Sequence, residues 1–172
     1  MMNEKKPEYI IGVDLGTRKT GIVLIDSNSD IKTLWLLESN LKNEENRINE
    51  IATQIKIILQ KPVFDYACVE LPIYIQNFRT SLSLGGLYGV FRWLCGERHI
   101  KVIAVSNRTW KKEVCGFGDI KKEEILNYSK QRWPECDFKS QDLADAACIA
   151  EYGIQFLKEK NLINGSNAKK AS

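Results

Sequence analysis

The chain has 172 residues, of which 44% are hydrophobic and 27% are charged, as in an ordinary globular protein with room for one domain. No apolar run approaches the roughly 20 residues that cross a bilayer, and the polar residues 1–7 do not read as a signal peptide, so we expect a cytoplasmic protein without a membrane span. Five widely spaced cysteines and a single histidine exclude a disulfide framework, a histidine-built zinc site and a Ser-His-Asp triad. A catalytic metal would have to be held mainly by oxygen.

Three short β-rich segments open the chain, at residues 9–14, 21–26 and 31–37, and polar or glycine-containing turns separate them. Connections this short predict an antiparallel meander. Isoleucines then recur every three or four positions over residues 44–59, which predicts an amphipathic helix.

The second half of the chain alternates between strand-like and helix-like segments. The predicted strands are residues 63–70 and 100–105, and the predicted helices are residues 80–98, 121–133 and 140–158. Residues 106–119 are basic and contain glycine, which predicts a loop.

The predicted order is β-β-β-α-β-α-β-α-α. A meander that feeds parallel strands through crossover helices gives an α/β fold, with a five-stranded mixed sheet flanked by helices. We expect one domain over residues 1–160 and a disordered polar tail over residues 161–172.

Four acidic residues stand at the ends of predicted elements. Asp14 ends the first strand before a glycine turn, and Glu70 ends the fourth strand just before Pro72; Asp142 and Asp145 open the last helix on one face. If the two strands are neighbours, the four carboxylates meet. At about 4 Å two like charges repel by roughly 4 kcal/mol at an effective dielectric of about 20, and a divalent cation removes that repulsion. Mg²⁺, with Mn²⁺ as a substitute, prefers such oxygen ligands, and two ions about 3.5–4 Å apart can hydrolyse a phosphodiester.

Each acidic residue also has a structural explanation. An aspartate before a glycine turn is common, Glu70 could keep a strand edge soluble, and Asp142 could serve the helix dipole. Asp145 lies between two alanines on an apolar helix, where a buried charge needs a partner. The combination, rather than any single residue, favours a metal site.

A basic stretch lies between residues 98 and 112, although the net charge of the chain is only +3. Its members, with no acidic residue among them, are Arg98, Lys101, Arg108, Lys111 and Lys112. Such a stretch could contact phosphates, or it could be a solvated loop.

Four segments together resemble the RuvC family of Holliday-junction resolvases, which belongs to the ribonuclease-H-like superfamily. They are IIGVDLGTRKTGIVLID with the first acidic strand, DYACVELPIYIQNFRTSLSLGGLYGVFRWL with the second, KKEVCGFGDIKKEEI with a Gly-x-Gly loop, and QDLADAACIA with a D-x-x-D helix. They span residues 9 to about 153 in the family's order.

The resemblance implies a crossover-junction endodeoxyribonuclease that makes paired, metal-dependent nicks in four-way DNA. It carries the metal-ligand role to Asp14, Glu70, Asp142 and Asp145, and a role in DNA binding and cleavage to Lys111 and Lys122. A lysine near the scissile phosphate would stabilise developing negative charge. Further candidate DNA contacts are Lys112, Lys121, Arg108, Arg79 and one aromatic residue, Tyr74 or Phe78.

The resemblance also implies a homodimer, whose two-fold symmetry would match that of a four-way junction. Gly85 and Gly89 have the small-x-x-x-small spacing of a close helix contact, either on the sheet or across a dimer. Trp93 and Phe91 are candidates for the same contact or for the core.

Two alternative functions stay open at this stage. A phage-type relative could cut many branched DNAs, in a bacterium or a phage-infected host, with or without branch-migration proteins. Residues 14–21 also look like the phosphate loop of actin-like ATPases, but such an ATPase needs a second similar domain, for which 172 residues leave no room.

Overall fold

A computed structural model describes residues 8–72 and 78–163. The strands are β1 (Tyr9–Asp14), β2 (Lys19–Asp26), β3 (Ile31–Glu38), β4 (Tyr66–Glu70) and β5 (Lys101–Val105). The helices are α1 (Glu44–Leu59), α2 (Phe78–Glu97), α3 (Asn107–Cys115), α4 (Lys122–Arg132) and α5 (Gln141–Glu159).

The five strands form one mixed sheet in the order β3-β2-β1-β4-β5. The β3-β2 and β2-β1 pairs are antiparallel, whereas β1-β4 and β4-β5 are parallel. The predicted five-stranded mixed sheet flanked by helices is therefore confirmed. Because β1 and β4 run in the same direction side by side, their carboxyl ends lie at the same edge of the sheet.

Helix α5 packs against one face of the sheet at very close range. A Cβ atom on Gly12 of β1 would lie 2.1 Å from the backbone oxygen of Ala146, and one on Gly21 of β2 would lie 2.1 Å from that of Asp142. The helix is capped at its start by Ser140, whose hydroxyl accepts a hydrogen bond from the backbone N–H of Leu143 at 3.3 Å. Glycines on the strands thus let the backbone of α5 approach the sheet.

Helices α1 and α2 cover the opposite face. Ile51 and Ile55 of α1 and Phe91 of α2 are fully buried against Ile11 and Val13 of β1. The isoleucine spacing predicted α1 with the bounds that the structure has, because its buried stripe is regular.

One sequence-based assignment is wrong: residues 106–119, predicted as a loop, contain helix α3. Its start is capped by the Ser106 side chain, which accepts from the Thr109 N–H, and it ends at Gly116, whose φ of 90° is left-handed. The helix has only nine residues and buries a single one of them, Trp110, so few apolar positions mark it in the sequence. That pattern explains why its helical character was missed.

The structure distinguishes between the alternatives that the sequence left open at two places on α2. A Cβ atom on Gly85 or Gly89 would meet nothing within 4 Å, so these glycines do not serve packing on the sheet. Phe91 belongs to the core, whereas Trp93 is 62% exposed.

The packed part of the chain extends past the expected boundary at residue 160. Ile163 is buried against the α5 side of the core. The rest of the expected tail, residues 164–172, lies outside the described residues, and the division into one domain and a tail stays a prediction. No helix within the described ranges has the length and apolar character needed to cross a membrane.

Candidate active site

The first two acidic residues lie at the carboxyl ends of neighbouring parallel strands. Val13 pairs with Val69 in the sheet, so Asp14 and Glu70 each follow a paired residue at the same edge. Both side chains line one cavity, together with Leu84 and Tyr88 of α2. Open α/β sheets bind ligands at the carboxyl ends of their strands.

The other two acidic residues reach this edge from the start of α5. Gly21 pairs with Asp14 across the antiparallel β1-β2 ladder, and the same glycine lies directly under the backbone of Asp142. Asp145 follows one helical turn later, on the same face of α5. The close approach at Gly21 therefore brings the start of α5 beside the end of β1.

The four carboxylates interact electrostatically. The pKa of Asp14 is raised well above its usual value, first by burial and then by the charges of Asp145, Glu70 and Asp142, while Lys122 acts in the opposite direction. Burial is also the main cause that raises the pKa of Asp145 to about 6. A site where like charges disfavour one another's ionised forms is one that a cation would stabilise.

The donor chemistry of the site fits a hard divalent cation, because all four candidate ligands are carboxylates. With the side chains as they stand, no three acidic, histidine or cysteine residues within 8–72 and 78–163 are close enough together to enclose an ion. The observation that favours a cation is instead the burial of Asp14 among three other acidic residues. The ligand roles of the four carboxylates stay a prediction.

Two residues that the sequence analysis did not identify contact Glu70. The side-chain amide of Asn107 donates to both carboxylate oxygens, at 3.1 Å to Oε1 and 2.9 Å to Oε2. The indole Nε1 of Trp110 donates to Oε2 at 2.7 Å. Both donors belong to α3, the helix that was taken for a loop, so no expected contact could have pointed to them.

The two lysines implied by the family resemblance lie beside the acidic residues. Lys122, the first residue of α4, lowers the pKa of both Asp14 and Asp145 by its charge. Lys111 of α3 also lowers the pKa of Asp145, and its ammonium group lies 5.5 Å from the centre of the Trp110 ring. The structure therefore brings both lysines to the same edge as the carboxylates.

Three of the remaining basic candidates lie on or directly before the same two helices. Arg108 and Lys112 are exposed on α3, and Lys121 is the exposed residue that precedes α4. Gly118 lies against the Arg108 side chain, where a Cβ atom would come within 2.7 Å of Cγ. The Gly-x-Gly loop thus ends one helix and packs closely on it before the next begins.

Other candidates lie apart from this group. Lys101 is the first residue of β5 and lies beside Tyr66, at the end of the strand far from Glu70. Arg98 precedes Lys101 in the chain. The basic stretch is therefore divided between the two ends of the sheet. Arg79 of α2 pairs with Glu44 of α1 at 3.2 Å.

The two aromatic candidates have different outcomes. Phe78 is 83% exposed at the start of α2. Tyr74 lies outside the described residues.

The family comparison matches most of the chain. The family model for the crossover junction endodeoxyribonuclease RuvC matches residues 10–151. The chain belongs to the RuvC family. Nucleases of the RuvC family are metal-dependent. The resemblance inferred from the four segments is therefore confirmed.

Individual RuvC relatives and solved structures agree with this membership. The crossover junction endodeoxyribonuclease RuvC of Ehrlichia canis is 28% identical over 145 residues, which cover 82% of this chain and 92% of that protein. The structure of Thermus thermophilus RuvC in complex with a Holliday junction substrate matches with a TM-score of 0.73 at 17% identity, over 87% of this chain and 96% of that one. The yeast mitochondrial Holliday junction resolvase Ydc2 matches with a TM-score of 0.57 at 14% identity, over 90% of this chain and 84% of that one. The ribonuclease-H-like fold is confirmed by these structures.

Proposed function

We propose that this chain is a crossover-junction endodeoxyribonuclease that resolves four-way DNA junctions by paired, metal-dependent nicks. The observation that carries the proposal is the meeting of four carboxylates from β1, β4 and α5 at one sheet edge, beside Lys122. RuvC relatives of similar length are named for this activity. The proposal puts the protein in the cytoplasm of a bacterial or phage-infected cell.

Asp14, Glu70, Asp142 and Asp145 would hold Mg²⁺, or Mn²⁺ in its place, as a pair of ions. Such ions, when bound, supply an activated water and stabilise the leaving oxygen of an in-line displacement at phosphorus. Lys122 would place a positive charge beside the phosphate as negative charge develops there. All four acidic residues are half-buried, so water would screen these interactions less than it does at an open surface.

The DNA backbone would lie over the two helices that border the site. Lys111 and Lys122 act on the acidic residues, and Arg108, Lys112 and Lys121 add exposed positive charge on or beside the same two helices. Contacts of this kind go to phosphates, so they would fix the position of a junction without reading its sequence. The structure solved with a Holliday junction is that of a RuvC relative with this fold.

The exposed face of α2 would form the contact between two copies of the chain. Exposed apolar residues recur along this helix at Phe78, Leu82 and Trp93, which are 83%, 66% and 62% exposed. The open glycines Gly86 and Gly89 lie on the same face, at helical spacing. A contiguous exposed apolar face on a globular protein commonly marks an interface.

An assay of cleavage on defined DNA substrates tests the proposed function. Synthetic four-way, Y-shaped and linear duplexes are incubated with protein and Mg²⁺, and the products are separated on a gel. We expect paired, symmetric nicks in the four-way substrate. Comparable cleavage of the Y-shaped substrate would favour the broader, phage-type activity.

Asp145→Asn tests the site itself. We expect it to bind the junction as the unaltered chain does and to lose more than about 100-fold of the cleavage rate, because a cation ligand is removed. The matched control is Asp137→Asn, at an exposed aspartate that pairs with Lys139 at the surface. Normal cleavage by Asp145→Asn would contradict the site assignment.

A further inference from the structure

Glu70 is the acidic residue of the site that neutral side chains hold most firmly. Three hydrogen bonds reach its carboxylate from α3, two from the Asn107 amide and one from the Trp110 indole. A carboxylate has about four lone-pair positions, two on each oxygen. Two of the three bonds end on Oε2 and one ends on Oε1, so the position left for a further partner is on Oε1.

The sheet delivers these donors to Glu70. Glu70 pairs with Val105, the last residue of β5, and Ser106 then caps α3, of which Asn107 is the first residue. Trp110 follows one turn later, fully buried against the α5 side of the core. The positions of both donors relative to the end of β4 are therefore fixed by strand pairing and by core packing.

The chemistry of the donors suits a metal ligand. Amide and indole N–H groups are neutral, so they orient the carboxylate without supplying a charge that would compete with a cation. A lysine or arginine in the same place would form an ion pair with Glu70 instead. Groups that hydrogen-bond a ligating carboxylate set its orientation and with it the affinity of the site for its metal.

We propose that Asn107 and Trp110 are positioning residues for Glu70, which hold its carboxylate in the one orientation that leaves Oε1 available to a divalent cation shared with Asp14. This inference rests on the proposed function, because it concerns the same site. It adds two residues of α3 that act through Glu70 and do not touch the DNA phosphate or the cation.

A purely structural role for Trp110 makes a different prediction. A buried indole N–H needs an acceptor, and Glu70 could be no more than that acceptor. Trp133 provides the comparison, since it is also buried and donates through Nε1 to the backbone oxygen of Ser29 at 2.8 Å. Ser29 follows β2, and because β2 is antiparallel to β1 it lies at the opposite end of the sheet from Asp14.

The experiment measures binding of Mn²⁺ alone by titration calorimetry, without DNA. Trp110→Phe and Trp133→Phe each remove one buried N–H and keep an aromatic ring, so both should lower the melting temperature. We expect Trp110→Phe to weaken Mn²⁺ binding about 10- to 100-fold and Trp133→Phe to leave it unchanged. Cleavage by Trp110→Phe should recover as the Mn²⁺ concentration is raised.

Asn107→Ala provides a second variant at an exposed position, where folding is not at risk. We expect it also to weaken Mn²⁺ binding at least about tenfold, whereas Asn127→Ala, at an exposed asparagine of α4, should not. Unaltered Mn²⁺ affinity in both Asn107→Ala and Trp110→Phe would overturn the inference while leaving the proposed function intact. Failure of the unaltered chain to bind Mn²⁺ and to cut DNA would overturn both.

Discussion

The two faces of the sheet use glycine in opposite ways. Under α5, Gly12 and Gly21 have no space for a side chain, because a Cβ atom would fall within 2.1 Å of the helix backbone. On α2, Gly86 and Gly89 meet nothing within 4 Å. A glycine within a helix costs up to about 1 kcal/mol relative to alanine, and on α2 no contact among residues 8–72 and 78–163 offsets that cost.

This difference distinguishes the face of the sheet that α5 covers, the α5 face, from the exposed side of α2, the α2 face. On the α5 side, close packing completes the core and also brings Asp142 and Asp145 to the end of β1. On the α2 side, Leu82 and Trp93 are exposed beside the glycines, as expected of a surface that binds a second protein chain. We therefore expect the proposed catalytic geometry to depend on the first face and the proposed contact between two copies to depend on the second.

Gly21→Ala tests the packing of the α5 face and should have the largest effect on stability. Its Cβ atom would overlap the backbone oxygen and carbon of Asp142, so α5 would have to move away from the sheet. We expect the free energy of unfolding to fall by about 3 kcal/mol, measured by urea denaturation. Cleavage should fall as well, even where the variant is folded, because Asp142 and Asp145 would move with the helix.

Gly86→Ala is the matched control for Gly21→Ala. Because this glycine has open space, alanine should raise the free energy of unfolding by up to about 1 kcal/mol through its helix propensity. Equal effects of the two substitutions would remove the distinction between the two faces.

Much of the fold could be predicted from the sequence where a regular apolar pattern meets a clear boundary. The bounds of β1 and α1 were predicted correctly. The continuous buried run of β1 stops at Asp14, and the 3.6-residue burial of α1 starts after the Asn43 cap. Helix α3 was missed because Trp110 is its only buried residue. The sequence features that indicate this helix are a serine cap at Ser106 and a glycine terminus at Gly116, with nine residues between them.

Part of the site, the meeting of two carboxylates at one sheet edge, could also be predicted. Carboxyl ends of parallel neighbours share an edge, so the meeting of Asp14 and Glu70 followed from the strand order that the family resemblance implied. The hydrogen bonds from Asn107 and Trp110 could not be predicted, because they depend on where β5 ends relative to β4. Pairing register of this kind is a tertiary property that no local pattern encodes.

Asp145→Asn measures how much the burial of this carboxylate on the α5 face lowers the free energy of unfolding. Burial raises the pKa of Asp145 to about 6, against about 3.9 for an unperturbed aspartate, so the folded state holds the proton more tightly. Stability is therefore lost as the pH rises from about 4 to about 6, and the loss is complete above that range. Asparagine cannot ionise, so we expect the metal-free variant to be more stable by about 1–2 kcal/mol at pH 7.5.

Thermal unfolding in the presence of a chelator checks this expectation at two pH values. The difference in melting temperature between Asp145→Asn and the unaltered chain should be clear at pH 7.5 and nearly absent at pH 4. Asp137→Asn, at the surface, should show no such pH dependence. A variant less stable than the unaltered chain at pH 7.5 would mean that the acidic residues do not strain the fold.

Gly89→Gln tests the α2 face and should have the smallest effect on the stability of the monomer. Glutamine is a good helix former with open space around it, so we expect the monomer to gain about 0.5–1 kcal/mol. The same side chain would separate two copies packed through this face, so the dimer dissociation constant, measured by analytical ultracentrifugation, should rise at least about tenfold. Thr80→Gln, at an exposed position on the side of α2 that carries Leu87 and Phe91, should leave the dimer unchanged. If Gly89→Gln dimerised as well as the unaltered chain, the open glycines would have no role in assembly, and the contrast between the two faces would reduce to packing under α5.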